Sequence, residues 1–353
     1  MSYYLFPKGN VDLSTDISIY VESIETINHY LSPSLVSYLC ELQQANLEKP
    51  DEFQELQRKV FTYQKGIFDK YPNYTNDFFE IIEIVQTMHI NQYLDSISKN
   101  TPLSIFSLDA GEEEKKGFLT AIKTIREPHK KISADKNKIQ AHLPYKDNYF
   151  FADPVYSVKH FRDIYFNYGS KMHVILVDAT KCKTVQEIII QLCMILCTQA
   201  KKGVLFWKVG DTYTEIMLDI LFTLSSFYDK TYFIKPVIMD TSNSDKYIVC
   251  KGFLLDNAYT IYSYLHPLVS RMDMDYTEYM IQRILSKNIP HFFISKLEEI
   301  NYMFGQSQLE QLHYLSVLMS HKYKNEKIQN ISKMNIQKTQ EFISRHHYFL
   351  QHI

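Results

Sequence analysis

Lys208 closes the apolar run VLFWK (204–208), and Asp178 closes HVILVD (173–178). A Ser244-Asp245 pair stands immediately before a third apolar run, KYIVC (246–250). A lysine and acids at the ends of buried strands are groups that can align reactants and move a proton. The lysine can accept a proton only where a neighbouring cation or loss of water lowers its pKa; surrounding carboxylates hold it charged instead. Two plainer readings stay open. Lys208 and Asp178 form a salt bridge at a strand end, or the carboxylates hold a divalent cation.

The elements that must position these groups read as strands alternating with helices. LSIFSL (103–108), NYFFADP (148–154), HVILVD, VLFWK, TYFIK (231–235) and KYIVC are the strands. FLTAIKTI (118–125), VKHFRDIYFN (158–167), TVQEIIIQLCMILCTQAK (184–201) and TEIMLDILFTLSSFY (214–228) are the helices between them. Such alternation implies an α/β fold with a mostly parallel, doubly wound sheet. The last two strands are joined by a short segment ending in DTSNSD, too short for a crossover helix, so the last strand is expected to be antiparallel. In such sheets ligands sit at the C-terminal ends of the strands, where Asp178 and Lys208 fall.

Residues 13–99 show apolar positions at 3–4 spacing, as in Phe78-Ile82-Val85-Met88, and predict helices punctuated by Pro33, Pro50 and Pro72. Beyond 262 helices are again predicted, at about 275–287, 307–322 and 334–348. The division expected is a helical region over 1–100, an α/β domain over 101–260 and a helical region over 261–353.

Composition narrows the class. The chain has 353 residues, 45% hydrophobic and 22% charged, the profile of a soluble globular protein. A formal charge of −2 supplies no bulk attraction to nucleic acid, so RNA contact must come from local patches such as Lys130-Lys131-Lys136-Lys138 or Lys322-Lys324-Lys327. Five cysteines without a CxxC pair point to a reduced, intracellular protein. Cys193 and Cys197 read as apolar packing, and His346-His347 with His352 as a surface helix rather than a metal site. No signal-peptide pattern and no apolar run of roughly 18 residues occurs, so a cytoplasmic, nuclear or virion-internal protein without membrane contact is expected.

The segment from Lys202 to Phe253 resembles the second half of the FtsJ/RrmJ-type ribose 2'-O-methyltransferases, most closely the mRNA-cap branch, and the resemblance extends over about 101–253. It implies a Rossmann-like methyltransferase sheet, S-adenosylmethionine as cofactor and capped RNA as substrate. Leu108-Asp109-Ala110-Gly111 and Gly117-Phe118-Leu119 are similar to the borders of the family's cofactor loop, and Ala152-Asp153-Pro154 to its turn beside the adenine. This assigns Asp109, Gly111, Gly117 and Asp153 to cofactor binding. Asp178, Lys208 and Asp245 are similar to catalytic positions, and Glu80 falls where the family has an early lysine.

The departures are chemical. Glu112-Glu113-Glu114-Lys115-Lys116 replaces the compact Gly/Pro turn that lets the backbone approach the cofactor closely. Asp245 replaces a glutamate, and no lysine or arginine lies between Lys70 and Lys99. Three acids around one lysine would raise the Lys208 pKa and repel an RNA phosphate. A methyltransferase-like binding or scaffolding subunit of mRNA capping or transcription, with a protein partner, is therefore expected. An active enzyme in which Lys70 or Lys99 swings in, and a structural virion or polymerase component, are the alternatives. Versions of this fold in large cytoplasmic DNA viruses suit a composition rich in Ile, Asn and Lys, and would place the protein in a viral factory or virion.

Overall fold

The computed structural model describes residues 2–23, 31–47, 50–61, 66–67, 69–98, 102–108, 117–126, 147–152, 157–272, 279–320 and 324–350. In chain order its elements are β1 (Ser2–Leu5), β2 (Ile17–Ser23), α1 (Pro33–Leu47), α2 (Pro50–Val60), α3 (Asn76–Thr87), α4 (Ile90–Ser98), β3 (Ser104–Leu108), α5 (Phe118–Arg126), β4 (Asn148–Ala152), α6 (Val158–Tyr168), β5 (Met172–Asp178) and α7 (Val185–Thr198). They continue with β6 (Gln199–Val209), α8 (Glu215–Phe227), β7 (Tyr228–Lys235), β8 (Lys246–Phe253), α9 (Ala258–Met272), β9 (Tyr279–Leu285), α10 (His291–Ser320), α11 (Lys324–Arg345) and α12 (His347–Leu350).

The main sheet has the order β1-β7-β8-β6-β5-β3-β4. β4, β3, β5 and β6 are mutually parallel, and β8 runs antiparallel between β6 and β7. The fold is therefore α/β with a mixed sheet, parallel through its centre, in which β8, the last strand to enter it, and the edge strand β1 are reversed. From β3 the chain steps outward to β4 and then returns to β5 on the other side of β3. The strand order thus reverses between the C-terminal ends of β3 and β5, the crevice that doubly wound sheets offer to ligands.

Alternation along β6 shows how the layers form. Val204 and Phe206 join the core under α3 and α5, with Phe78, Ile82, Phe118 and Ile122. Leu205, Trp207 and Val209 join the opposite core under α6, α7 and α8, with Phe161, Ile195 and Phe222. A strand buried on both faces must be apolar at every position, which is why VLFW carries no polar break. The α7 helix is fixed at its start by a capping box in which Thr184 and Glu187 exchange hydrogen bonds with each other's backbone.

Two segments expected to be helical are strands. β2 and β9 pair antiparallel as a two-stranded ribbon, in place of helices within 13–99 and 275–287. Both are seven-residue runs carrying two Ile and a Tyr, for which period alone cannot separate helix from strand, and their mutual pairing decides. β9 is further pinned by Asp219 of α8. Its carboxylate accepts from Arg283 Nε at 2.8 Å, Ile284 N at 2.7 Å and Leu285 N at 3.1 Å. β1, also unanticipated, adds to the free edge of β7.

The flanking helices hold the loops at the strand ends. Gln57 of α2 donates to Asp240 Oδ2 at 2.6 Å and to the Ser242 hydroxyl at 2.8 Å. Gln308 of α10 donates to the Ser242 carbonyl. Asn301 of α10 exchanges hydrogen bonds with Thr212, at 2.7 and 2.9 Å. His346, expected on a surface helix, is buried between α11 and α12, where its Nδ1 meets Gln86 Oε1 of α3. Burial, with Arg345 nearby, pushes its pKa down to about 4. Phe342 packs beside it, ring centres 4.4 Å apart and planes tilted by 47°, so the histidine serves as packing.

Candidate functional site

Lys208 is the last-but-one residue of β6, in register with Asp178 of β5 on one side and Tyr247 of β8 on the other. Its side chain turns toward α3. There Nζ donates to Asp77 Oδ1 at 2.8 Å and to Glu80 Oε2 at 3.0 Å. Three residues apart on a helix, these acids share one face and both reach the same ammonium. Glu80 Oε2 also accepts from the Tyr247 hydroxyl at 2.7 Å, and the Lys208 ammonium lies 5.7 Å from the centre of the Tyr247 ring. Glu83, one turn further along α3, accepts from Val237 N and Ile238 N and so fixes the start of the loop after β7. One face of α3 is thus a row of acids.

Asp178 is buried and spends one oxygen on Thr180, whose N donates at 2.9 Å and whose hydroxyl donates at 2.6 Å. The charges around Lys208 do not balance. Burial alone would lower its pKa, but Glu80 and Asp77 outweigh that effect, with Asp178 adding to them, and hold it above the ordinary lysine value. Burial raises Glu80, against the pull of Lys208, and raises Asp178 likewise. One cation among three carboxylates leaves negative charge in a place with little water, and Glu80 and Asp178 hold their protons more tightly there.

The sequence-derived residues therefore divide. Glu80, Asp178 and Lys208 come together. Asp245 stands apart from them: it exchanges weak hydrogen bonds with Asn243 and lines a cleft of about 350 Å³ with Ala179, Thr180, Gly210, Asp211 and Ser244. The floor of that cleft, Val209 and Met217, belongs to the core under α7 and α8, on the other side of the sheet from Asp77 and Glu80. Gly117 is buried immediately before α5. Asp109, Gly111, Asp153, the 112–116 run, Lys99 and the 130–138 lysines lie outside the described residues. Lys70 is exposed, with its ammonium 5.7 Å from the Tyr71 ring. Among the described residues no group of three or more His, Cys, Asp or Glu is placed to hold a metal ion, and no helix is long and apolar enough to cross a membrane.

Three residues of consequence escaped the sequence reading. Asp77 was legible in principle, from its i, i+3 spacing to Glu80. Lys235 and Lys246 were not, because each reads as an ordinary strand-end lysine. Lys246 is only 2% exposed and donates to the Gly210 and Ser244 carbonyls, both at 2.7 Å, which clips the loop after β6 to the turn before β8. Burial, reinforced by Lys235, pushes it down to about 7. Lys235 donates to the Asn243 carbonyl at 2.6 Å and is lowered to about 8, also by burial.

Sheet and site together define an α/β protein of the doubly wound class, with a buried lysine–carboxylate cluster at its strand ends. Its sequence is similar to that of enzymes modifying the mRNA cap. It is 29% identical over 134 residues to cap-specific mRNA (nucleoside-2'-O-)-methyltransferase 1 of Dictyostelium discoideum, which covers 36% of this chain and 17% of that protein. It is 25% identical over 119 residues to cap-specific mRNA (nucleoside-2'-O-)-methyltransferase 2 of Pongo abelii, covering 33% and 15%. A third relative, methyltransferase 1A of Caenorhabditis briggsae, is 26% identical over 115 residues, covering 30% and 13%. The matches thus span less than a fifth of each relative's length. No family model matches the chain.

Proposed function

We propose that this protein has the Rossmann-like methyltransferase fold of the mRNA cap ribose 2'-O-methyltransferases, that its strand-end centre does not transfer methyl groups, and that it acts as an RNA-binding subunit with a protein partner in capping or transcription. The similarity to three cap methyltransferases supports the fold and the RNA setting. The observation that carries the loss of activity is the lock on Lys208. Removing a proton from a ribose hydroxyl needs a base able to lose its own proton near neutral pH. Asp77 and Glu80 occupy the Lys208 ammonium and hold it charged, while the excess of carboxylates repels the phosphates that flank a ribose. S-adenosylmethionine is the methyl donor that the resemblance implies, and Gly117 is the one assigned cofactor residue that can be located, buried ahead of α5.

A second reading, an active divergent enzyme, is favoured by Lys235. Its pKa is lowered to about 8, in the range of a working base, and it lies close enough to Glu80 and Lys208 to feel both charges. The test is transfer of labelled methyl from S-adenosylmethionine to RNA carrying an unmethylated first ribose, with capped and uncapped RNA compared. The expected result is no cap-dependent transfer by the purified chain. Robust transfer that disappears in Lys208→Ala or Lys235→Ala would overturn the non-catalytic reading and install the second. Cytoplasmic placement, in a viral factory or virion, belongs to the same proposal and is tested by locating the protein in infected cells.

A further inference from the structure

Helices α6 and α9 meet through aromatic rings, and part of that pile faces solvent. Tyr262 of α9 stacks on Tyr165 of α6 with ring centres 4.0 Å apart and planes 13° from parallel. It also covers Phe161, at 5.3 Å and 23°. Phe166 lies beside the same ring, 6.4 Å away, yet is 68% exposed, and Tyr259, one turn before Tyr262, is 72% exposed. His266, one turn after, has its ring 5.1 Å from that of Tyr262. The inner rings do the packing. Phe166 continues the pile outward and Tyr259 stands one turn away on α9, neither burying its own area, which marks them as contact residues rather than core.

Cations flank the open rings. Arg162 precedes Phe166 by one turn of α6, and Lys159 precedes Arg162 by another. Burial raises the Tyr262 phenol, and Arg162 is the cation that opposes the shift, which puts the guanidinium beside the pile. Among the described residues neither Arg162 nor Lys159 forms an ion pair. α6 carries Lys159 and Arg162 against a single carboxylate, Asp163, in a chain whose formal charge is −2.

We infer that the α6–α9 ridge is a stacking platform for single-stranded RNA, with bases laid on Phe166 and Tyr259 and phosphates held by Arg162 and Lys159. Open ring faces beside unpaired cations match a polyanion that carries aromatic faces; an apolar protein surface would match the rings alone. The inference rests on the RNA-binding reading above and adds the surface that does the binding, away from the Lys208 cluster.

The test is fluorescence anisotropy of the full chain with a labelled, uncapped oligouridylate of about twelve nucleotides, within the usual reach of a single-strand site. Phe166→Ala with Tyr259→Ala should weaken binding by about ten-fold or more. Arg162→Ala should flatten the plot of log affinity against log salt by about 0.7, the share of one phosphate. Both replaced rings are exposed, and matching thermal melts verify that the fold is kept. Binding unchanged to within roughly two-fold in the double variant, against that ten-fold expectation, would sink the platform while leaving RNA binding elsewhere intact. No binding by the wild type would remove the platform and the RNA role together, and leave the ridge to a protein partner. Methyl transfer bears only on the earlier reading.

Discussion

Asp219 and Lys208 are both buried charges with ionic partners, but their surroundings differ. The Asp219 carboxylate meets one guanidinium and two backbone amides, and every strong acceptor direction is used. One acid meets that cation directly, and Glu215 acts on it at the next remove. The Lys208 ammonium meets Asp77 and Glu80 directly and Asp178 at the next remove, so three acids face one cation. The first cluster joins α8 to β9 with its carboxylate fully hydrogen-bonded, although burial raises the pKa of Asp219 too. The second keeps an uncompensated charge at the end of the sheet, where the fold gains little from it. Hydrogen-bond saturation marks a joint; a surplus of carboxylates at strand ends marks a place shaped by something other than stability.

Removing the acid of the joint should have the largest effect. Asp219→Ala leaves Arg283 unpaired and two backbone amides without an acceptor, and should lower unfolding stability by about 3–5 kcal/mol in urea titrations. A loss under roughly 1 kcal/mol, the level of an ordinary surface change, would break the comparison at its structural end.

Next comes Lys208→Met, which strands Asp77 and Glu80 without their cation and should cost about 3 kcal/mol at neutral pH. The sign with pH follows from Glu80. Burial raises its folded pKa above the ordinary value of 4.5, so the folded state holds the proton more tightly than the unfolded chain. Stability from that group is present below 4.5 and is lost as pH rises through the raised value. Thermal melts of Lys208→Met should therefore recover toward wild type on acidification, and adding Glu80→Gln should restore part of the loss at neutral pH. A variant equally destabilised at every pH would show that the carboxylates are not the cause.

The smallest expected effect is at Lys246. Its folded pKa, near 7, lies below the ordinary 10.5, so in wild type the burden of the buried charge is greatest below pH 7 and is relieved as pH rises toward 10.5. Lys246→Met carries no such charge. Its Tm relative to wild type should be highest below pH 7 and fall steadily up to 10.5. A Tm difference independent of pH would place the cost in the lost hydrogen bonds to Gly210 and Ser244 alone.

The parts of this molecule that the sequence made legible are those where local pattern and tertiary role agree. β5 and β6 announce themselves as unbroken apolar runs, and a charged residue at the end of each falls in register because neighbouring parallel strands stop at one level. Asp77 was hidden in plain spacing, since its helix reads as amphipathic whether or not its acids meet a cation. Lys235 and Lys246 could not be found at all. Their burial comes from loops that α2, α3 and α10 fold over them, and no run of neighbours encodes that cover. β2 and β9 failed for a related reason: each seven-residue segment is ambiguous until the other arrives.

That last dependence has a consequence for synthesis on the ribosome. β1 must wait for β7, and β2 for β9, some 260 residues later in the chain. At about 5–20 residues per second the wait is on the order of tens of seconds. Through that interval the first two strands, carrying Tyr3, Leu5 and Tyr20, emerge without their sheet neighbours and are open to chaperones or to other nascent chains. Vectorial translation therefore leaves β1 and β2 without their sheet partners until β7 and β9, made long after them, have emerged.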